Sequence, residues 1–500
     1  MIMKNCLKLI ILISLLLACN ESSEKSVNTQ SSASVTHSLD KIISEYVDDK
    51  YYKGNILVAK GDSIIYTSSS SLANIEKNIQ NAKASIFEIA SISKSFTATM
   101  IMQLIEEGKL SLDDSLTKFE SLNLKSEYHP ITLVQLLNHT SGIIDHDEVD
   151  GFFSKIAVKN QNREEIVALI NEASLLFKPG TDFRYSNFGY NLLAYLIEDV
   201  TKKTFNQNLS ERIFNPLKLN STYRVNGLPD FNKESIPYTY NIFQESNIAN
   251  PYSHSVDIGA GGIYSNIYDM LKWSKSFNEN QLISQKSKEL MFKPNEYGWG
   301  FGWEKRTLEI DSSTSIDYMS HGALANGYWG LLTKVEDYTV VLLSNHRPND
   351  IILNNIRPIP IRFINENIIR VLFHQDTLPY EKSLARKFSA EILKKDLNEV
   401  IPMLNENLDD FSYKESEFMV LGYELLELGQ KDKGIGIFNY MMSRTKDFGL
   451  VYECLGDAHF YYTKDLEKAK AFYNKALEYN PSNSYLTSQI KNINNEIRTN

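Results

Sequence analysis

The chain has 500 residues, room for roughly two to four domains or for one large enzyme domain with an appendage. Hydrophobic residues make up 42% and charged residues 23%, which excludes disorder as the state of the whole chain. A net charge of −10 argues against a nucleic-acid partner, and three cysteines exclude a disulfide scaffold or a cysteine-rich zinc module.

Residues 1–18 read as a signal peptide. Lys4 and Lys8 precede an apolar run, Leu9 to Leu17, broken only by Ser14 and too short to span a bilayer. The run ends in Leu16-Leu17-Ala18-Cys19, which resembles the bacterial lipobox. That resemblance implies lipidation of Cys19 and a lipid-anchored place in the bacterial cell envelope, periplasmic or on the outer surface. Residues 19–37 are Ser-rich and polar, as a flexible tether is. Cys6 leaves with the signal and Cys19 carries lipid. Cys454 is left alone, so no intramolecular disulfide is expected.

Residues 38–375 form the expected catalytic domain. Gly54 to Lys60 and Ser63 to Thr67, separated by Gly61-Asp62, read as a hairpin. Thr339 to Ser344 reads as a buried strand and 327–333 as its neighbour. Strands at both ends with helices between predict an α+β fold, with one antiparallel sheet built from both ends of the domain.

The most chemical segment is 87–112. Ser91 and Lys94 are three apart and share a helix face. Ile92, Phe96, Met100 and Leu104 describe the buried stripe of a long amphipathic helix, which Gly108 ends. Burial lowers a lysine pKa, so a neutral amine is available to take the serine proton. S-x-x-K occurs six times, starting at Ser22, Ser38, Ser91, Ser115, Ser443 and Ser488. Only at Ser91 does a small-apolar approach lead into such a helix.

The stretch around Ser91 resembles the active-site helix of the serine β-lactamase and penicillin-binding-protein superfamily, in its class C-like branch. GKLSLDDSLTKF at 108–119, LLNHTSGI at 136–143, KPGTDFRYSNFGYNLLAYLIE at 178–198, GAGGIYSNIYDMLKW at 259–273 and SHGALANGYWG at 320–330 carry the resemblance over about residues 40–350. It implies a Y-x-N motif in which Tyr assists proton transfer and Asn binds the substrate amide and the lysine. Two such triplets occur, Tyr185-Ser186-Asn187 and Tyr264-Ser265-Asn266. The first follows Pro179-Gly180 and precedes an apolar helix, as the family pattern does, and is chosen. A tyrosine near a charged lysine is expected to have a lowered pKa.

The third family motif, Lys-Thr-Gly in lactamases, is His321-Gly322-Ala323 here. Histidine there resembles the esterase and peptidase members, and it removes a permanent cation for a substrate carboxylate. Ala323 stands in place of Gly, where its methyl is expected to crowd the acyl pocket. The resemblance implies oxyanion donors at the backbone N–H of Ser91 and of Leu324. It makes His139 a structural, turn-capping residue. Asp145, His146, Asp147 and Glu148 read as a solvated acidic loop. No zinc spacing or phosphate loop occurs, so no cofactor or metal is expected.

From about 380 helical periodicity takes over. Phe418, Leu421 and Gly422 recur 34 residues later as Tyr452, Leu455 and Gly456. Gly434 and Phe438 take the small and aromatic positions of one copy. Ala469, Tyr473, Ala476 and Pro481 take the corresponding positions of the next, if one extra residue enters near Lys464-Asp465. Residues 380–500 thus resemble tetratricopeptide repeats, two at 415–448 and 449–482 and a degenerate pair at 383–412, with room for a protein partner at 415–482. Cys454 is expected to be a small core residue.

The expected function is a cell-envelope serine hydrolase forming an acyl-Ser91 intermediate on small-molecule or peptide substrates: esters, D-amino acid peptides or related amides. The alternatives are a penicillin-binding D,D-peptidase, a β-lactamase, and an inactive tethered scaffold that works through its repeats.

Overall fold

The computed structural model describes residues 32–231, 234–348 and 360–499. The signal peptide, Cys19 and most of the tether lie outside these residues. Residues 32–37, read from composition as tether, are the first turns of helix α1 (Ser32–Asp48). Leu39, Ile42, Ile43 and Tyr46 recur at helical spacing and are buried, and Thr36 Oγ1 donates to Ile65 O at 3.3 Å. Docking of the apolar face carries the polar turns along.

In chain order there follow strands β1 (Gly54–Lys60) and β2 (Ser63–Ser69), helices α2 (Ser93–Glu106), α3 (Asn187–Thr201) and α4 (Ile267–Ser276), strands β3 (Glu304–Glu309), β4 (Ser315–Leu324), β5 (Trp329–Val335) and β6 (Tyr338–Ser344), and helix α5 (Pro360–Leu372). The six strands form one antiparallel sheet in the order β3-β4-β5-β6-β1-β2. β1 lies against β6 from Gly54↔Ser344 to Lys60↔Tyr338, so the two ends of the domain close the sheet. Alternate side chains take opposite faces. Ile56 and Val58 pack with Leu39, Ile43, Ile364 and Ile368 under α1 and α5. Leu57 and Ala59 face the main core with Phe96 and Trp273. Both faces are covered, which explains the unbroken apolar runs of β1 and β6.

The helix α2 differs from the amphipathic expectation. Serines and threonines on its polar side are buried as well, including Ser93, Ser95, Thr97 and Thr99. Three of these hydroxyls find partners inside: Ser95 Oγ donates to Ile92 O at 2.7 Å and accepts from Trp273 Nε1 at 3.1 Å, Thr97 Oγ1 donates to Gly259 O at 2.7 Å, and Thr99 Oγ1 donates to Ser95 O at 2.8 Å, while Ser93 Oγ is buried with no partner among the described residues. A helix so satisfied can run through the middle of a core.

Beyond α5 come α6 (Leu384–Lys394), α7 (Leu397–Glu406), α8 (Glu415–Glu427), α9 (Lys431–Met442), α10 (Phe448–Asp457), α11 (Leu466–Tyr479) and α12 (Ser484–Thr499). A Cβ at Gly422 would lie 2.2 Å from the Phe438 ring, and one at Gly456 would lie 2.5 Å from the Tyr473 ring. Each glycine thus lets an aromatic of the next helix approach its backbone. Near Lys464, where the repeat register needs one extra residue, a π-helical turn, Ala458–Thr463, ends on Lys464 at φ +61°. Cys454 is buried in α10, and burial pushes its thiol pKa up.

This helical region shares a core with the catalytic domain. The hairpin of strands Tyr238–Tyr240 and Ser246–Ile248 inserts Ile242 among Leu384, Phe418, Leu421 and Leu425. Its backbone N–H donates to Glu424 Oε2 at 2.6 Å. Arg386 lies over the Tyr51 ring at 4.1 Å and donates to Glu417 at 3.3 Å.

Candidate active site

Ser91 sits in a 3-10 turn, Ala90–Ile92, that runs directly into α2. The preceding Ala90 adopts φ +40°, a conformation that costs an alanine energy and that the surrounding core holds in place. One turn on, Lys94 is fully buried, with Nζ 3.1 Å from Ser91 Oγ, 2.6 Å from Asn187 Oδ1 and 3.0 Å from Ala260 O. Burial lowers its pKa to about 7, against the opposing pull of Asp145, Asp257 and Asp147. Near neutral pH a large share of Lys94 is therefore an uncharged amine within reach of the serine hydroxyl.

Asn187 is the first residue of α3. Ser186 caps that helix by accepting from Gly189 N at 3.0 Å, and it donates to Ile144 O at 3.0 Å. His139 Nδ1 accepts the Ser186 N–H at 3.2 Å, and the His139 ring stacks on Tyr185 at 4.3 Å. His139 is thus a support for the Tyr185-Ser186-Asn187 turn. The rival triplet is placed otherwise. Tyr264 is buried with its hydroxyl 3.1 Å from His254 Nε2, and Asn266 caps α4 by accepting from Tyr268 N and Asp269 N.

The Tyr185 hydroxyl lies 3.4 Å from His321 Nε2. His321 Nδ1 lies 2.8 Å from Gly302 O, and a carbonyl only accepts. The proton is therefore on Nδ1, and Nε2 accepts from Tyr185. Gly302 is needed for this approach: it has φ +71°, and a Cβ there would meet Ser95 Cα at 2.7 Å. Burial lowers the His321 pKa to about 3, and the nearby Lys94 adds to the effect. Tyr185 departs from expectation. Burial outweighs the other influences and raises its pKa well above 10, with a Ser91 hydrogen bond pulling the other way. Tyr185 is therefore a neutral phenol at neutral pH.

Just past the end of β4, Ala325 N donates to Tyr328 O at 3.0 Å, and Leu324 faces Trp329 in register. Antiparallel alternation then turns the Leu324 N–H away from β5, toward the strand's open edge beyond Ser320, where the pairing with β3 stops. The Leu324 side chain is 54% exposed. The Ala323 methyl is buried beside Gly330, where a Cβ would come within 3.4 Å of it. The missing side chain of Gly330 accommodates the methyl that was expected to crowd the pocket.

A cavity of about 1100 Å3 brings Ser91, Tyr185, Asn187, His321, Ala323 and Leu324 onto one wall system. Sequence reasoning missed four of its cations, Arg184, Arg306, Arg347 and Arg362. Arg347 is buried and donates to Ala325 O at 2.7 Å. Isolated arginines far apart in the chain carry no local signal of convergence. Asp145 was read as solvated and is buried: it accepts from the Asn187 and His146 backbones, at 2.9 and 2.8 Å.

Two groups bring carboxylate and imidazole atoms within 4.8 Å of one another, Glu88-His254-Asp257 and Asp145-His146-Asp147. In the first, Arg224 lies 4.0 Å from Asp257, and His254 sits between the carboxylates at 3.7 and 3.4 Å. Arg224 and His254 already occupy the Glu88 and Asp257 carboxyl groups there. In the second, the Asp145 oxygens are occupied by Asn187 and His146. Neither set has the character of a metal site.

A serine with an adjacent buried lysine, a Tyr-x-Asn turn and an open strand edge is an arrangement in keeping with a serine hydrolase. The family described as Beta-lactamase matches residues 39–354, and the chain belongs to that family. Penicillin-binding protein 4* of Bacillus subtilis is 29% identical over 319 residues, which cover 59% of this chain and 68% of that relative. The first curated relatives are matched over 62% to 68% of their length. The octameric penicillin-binding protein homologue from Pyrococcus abyssi superposes with a TM-score of 0.56 at 24% identity, covering 72% of this chain and 81% of that one. D-amino acid amidase from Ochrobactrum anthropi gives 0.57 at 20% identity, covering 68% and 97%.

Proposed function

We propose that the protein is a cell-envelope hydrolase that forms an acyl-Ser91 intermediate on D-amino acid amides, D-peptides or related esters. The observation that carries this reading is the Lys94 amine, buried with a pKa of about 7 and set 3.1 Å from Ser91 Oγ. Lys94 takes the Ser91 proton as Oγ bonds to the substrate carbonyl carbon. The oxyanion that forms faces the N–H groups of Ser91 and Leu324. Tyr185, a neutral phenol, protonates the departing amine or alkoxide and recovers its proton from the Lys94 ammonium. Water then attacks the ester carbonyl, and Ser91 regains its proton. The likeness to a D-amino acid amidase supports the substrate class. The uncharged His321 argues against β-lactams, whose carboxylate is met by a lysine in lactamases.

The test is a turnover panel of D-amino acid amides, D-Ala-D-Ala peptides, p-nitrophenyl esters and nitrocefin. Turnover of amides or esters with slow nitrocefin hydrolysis is expected, whereas fast nitrocefin turnover alone would overturn the substrate assignment. The pH dependence gives a second check. Because only neutral Lys94 is a base, kcat/KM for an ester should rise with pH through about 7 and then level. No inflection near 6.5 should come from His321, which stays neutral down to about 3. A profile flat between about pH 5 and 8 would exclude Lys94 as the base.

The envelope location and lipid anchor rest on Leu16-Leu17-Ala18-Cys19. The tetratricopeptide-like character of the helical region rests on the paired glycines Gly422 and Gly456, each with its aromatic partner. Among the described residues no helix is long and apolar enough to cross a membrane.

A further inference from the structure

The Lys94 ammonium or amine rests on two fixed acceptors, Asn187 Oδ1 and Ala260 O. An asparagine side chain has two ends that differ only in hydrogen bonding, and rotation by half a turn exchanges the acceptor for a donor. The wrong end would set an N–H against Lys94, where it either meets a second donor or takes up the amine lone pair that Ser91 needs. Something must choose the end.

We propose that Asp145 is the positioning residue that fixes the Asn187 amide and thereby sets the base strength of Lys94. This rests on the acyl-serine reading of the site. The Asp145 carboxylate is the only partner that holds the Asn187 amide nitrogen among the described hydrogen bonds. Nδ2 donates to Oδ1 and to Oδ2, both at 3.0 Å, and the Asn187 backbone N–H donates to Oδ1 at 2.9 Å. A carboxylate has no proton to offer, so only the NH2 end of Asn187 can face it and only Oδ1 can face Lys94. Asp145 is held in turn by the His146 N–H at 2.8 Å. It is 7% exposed, so its charge is poorly screened.

The same charge acts on Lys94 through space. Burial is the main influence on Lys94, and Asp145 is the largest of the opposing ones, ahead of Asp257 and Asp147. The other groups around Lys94 are the Tyr185 and Tyr190 rings, 4.9 and 5.7 Å from Nζ, the neutral His139 and His321, and His146. Asp257 works from the opposite side: its backbone carbonyl accepts from Ala260 N and Gly261 N at 2.9 Å, which shapes the turn that presents Ala260 O. Among the described interactions, Asp145 acts on both the geometry and the charge through one carboxylate, whereas Asp257 shapes the turn through its backbone carbonyl.

The near-isosteric Asp145→Asn variant of the full chain separates the two effects. The readout is the rate of fluorophosphonate labelling at Ser91 as a function of pH, with thermal melting as a control. Loss of the negative charge makes the ammonium less favourable, so the acidic limb should move to lower pH by about one pH unit. The plateau should fall about tenfold or more, because the Asn187 amide is free to turn. In an Asn187→Ala background, Asp145→Asn should lower the plateau no further while still moving the limb. An unmoved limb, or plateau losses that multiply, would overturn the proposal; a merely structural role lowers the plateau alone. If Asp145→Asn does not fold, Asp145→Glu keeps the charge and should keep the limb in place, and a displaced limb there counts against the proposal. Wild-type protein that does not label at Ser91 would instead sink the acyl-serine reading.

Discussion

Replacing Ser91 by alanine is expected to abolish turnover, with a loss in kcat of about 10^4-fold or more, and to remove fluorophosphonate labelling entirely. Ser91 is the only hydroxyl among the described hydrogen bonds to Lys94 Nζ, whose other partners are an amide oxygen and a backbone carbonyl. No second nucleophile takes its place: the Tyr185 phenol has its pKa raised by burial and meets His321. The fold does not depend on the hydroxyl. The turn before α2 is held by Ala90 and by the backbone bond of Ile92 N to Ile89 O at 3.0 Å, neither of which involves the Ser91 side chain. The melting temperature of the variant should therefore match wild type. Labelling of Ser91→Ala at the wild-type rate would move the nucleophile elsewhere. Lys94→Ala in the Ser91→Ala background should add almost nothing, because residues that act as one unit are lost together.

The second large effect is on stability. Ile242→Asp is expected to destabilise the contact between the helical region and the catalytic domain by about 3–5 kcal/mol. Ile242 is 2% exposed and sits among Phe418, Leu421 and Leu425, so its burial alone contributes about 2–3 kcal/mol. The new carboxylate would lie next to Glu424, which already accepts the Ile242 N–H and whose pKa burial raises to about 7. A second carboxyl in one apolar seam is costly to desolvate, and Arg386, the cation that acts on Glu424, is already paired with Glu417. Calorimetry should show one transition split into two, and limited proteolysis should open the irregular stretch between α5 and α6. Ile248→Asp, on the same hairpin but 49% exposed, should leave both measurements unchanged. A variant at Ile242 that melts like wild type would mean that the two regions are not coupled there.

Much of this arrangement could be read along the chain. The strands at 54–60 and 339–344 were legible because both of their faces are covered, which leaves continuous apolar runs. Ser91 and Lys94 were legible because their pairing is local, within one turn. Asp145 was not. It lies in an Asp-His-Asp-Glu run that looks solvated, and only its contact with Asn187, 42 residues on, buries it. The full burial of α2 was hidden for a related reason: Ser95 and Thr97 score as polar, and their partners Trp273 and Gly259 come from distant segments. The neutrality of Tyr185 was hidden because desolvation is a property of the whole surroundings, whereas the sequence displays only the neighbouring charge. Residues 32–37 misled in the opposite sense, since tether-like composition does not prevent a helix whose next turns are apolar.

The pairing of β1 with β6 also orders events in time. At about 5–20 residues per second a ribosome needs about 15–60 s to proceed from the first of these strands to the last. Throughout that interval β1 and β2 are a lone hairpin, apolar on both faces and with an open edge, and a lone hairpin is at best marginally stable. The turn that carries Ser91 is made early, but the strand that carries His321 and Leu324 comes late and has no sheet to join until β6 follows it. The site's residues therefore come together only near the end of the domain's synthesis, and a chain that stops short of Ser344 is expected to lack the assembled site and to leave apolar strand surface open to its neighbours.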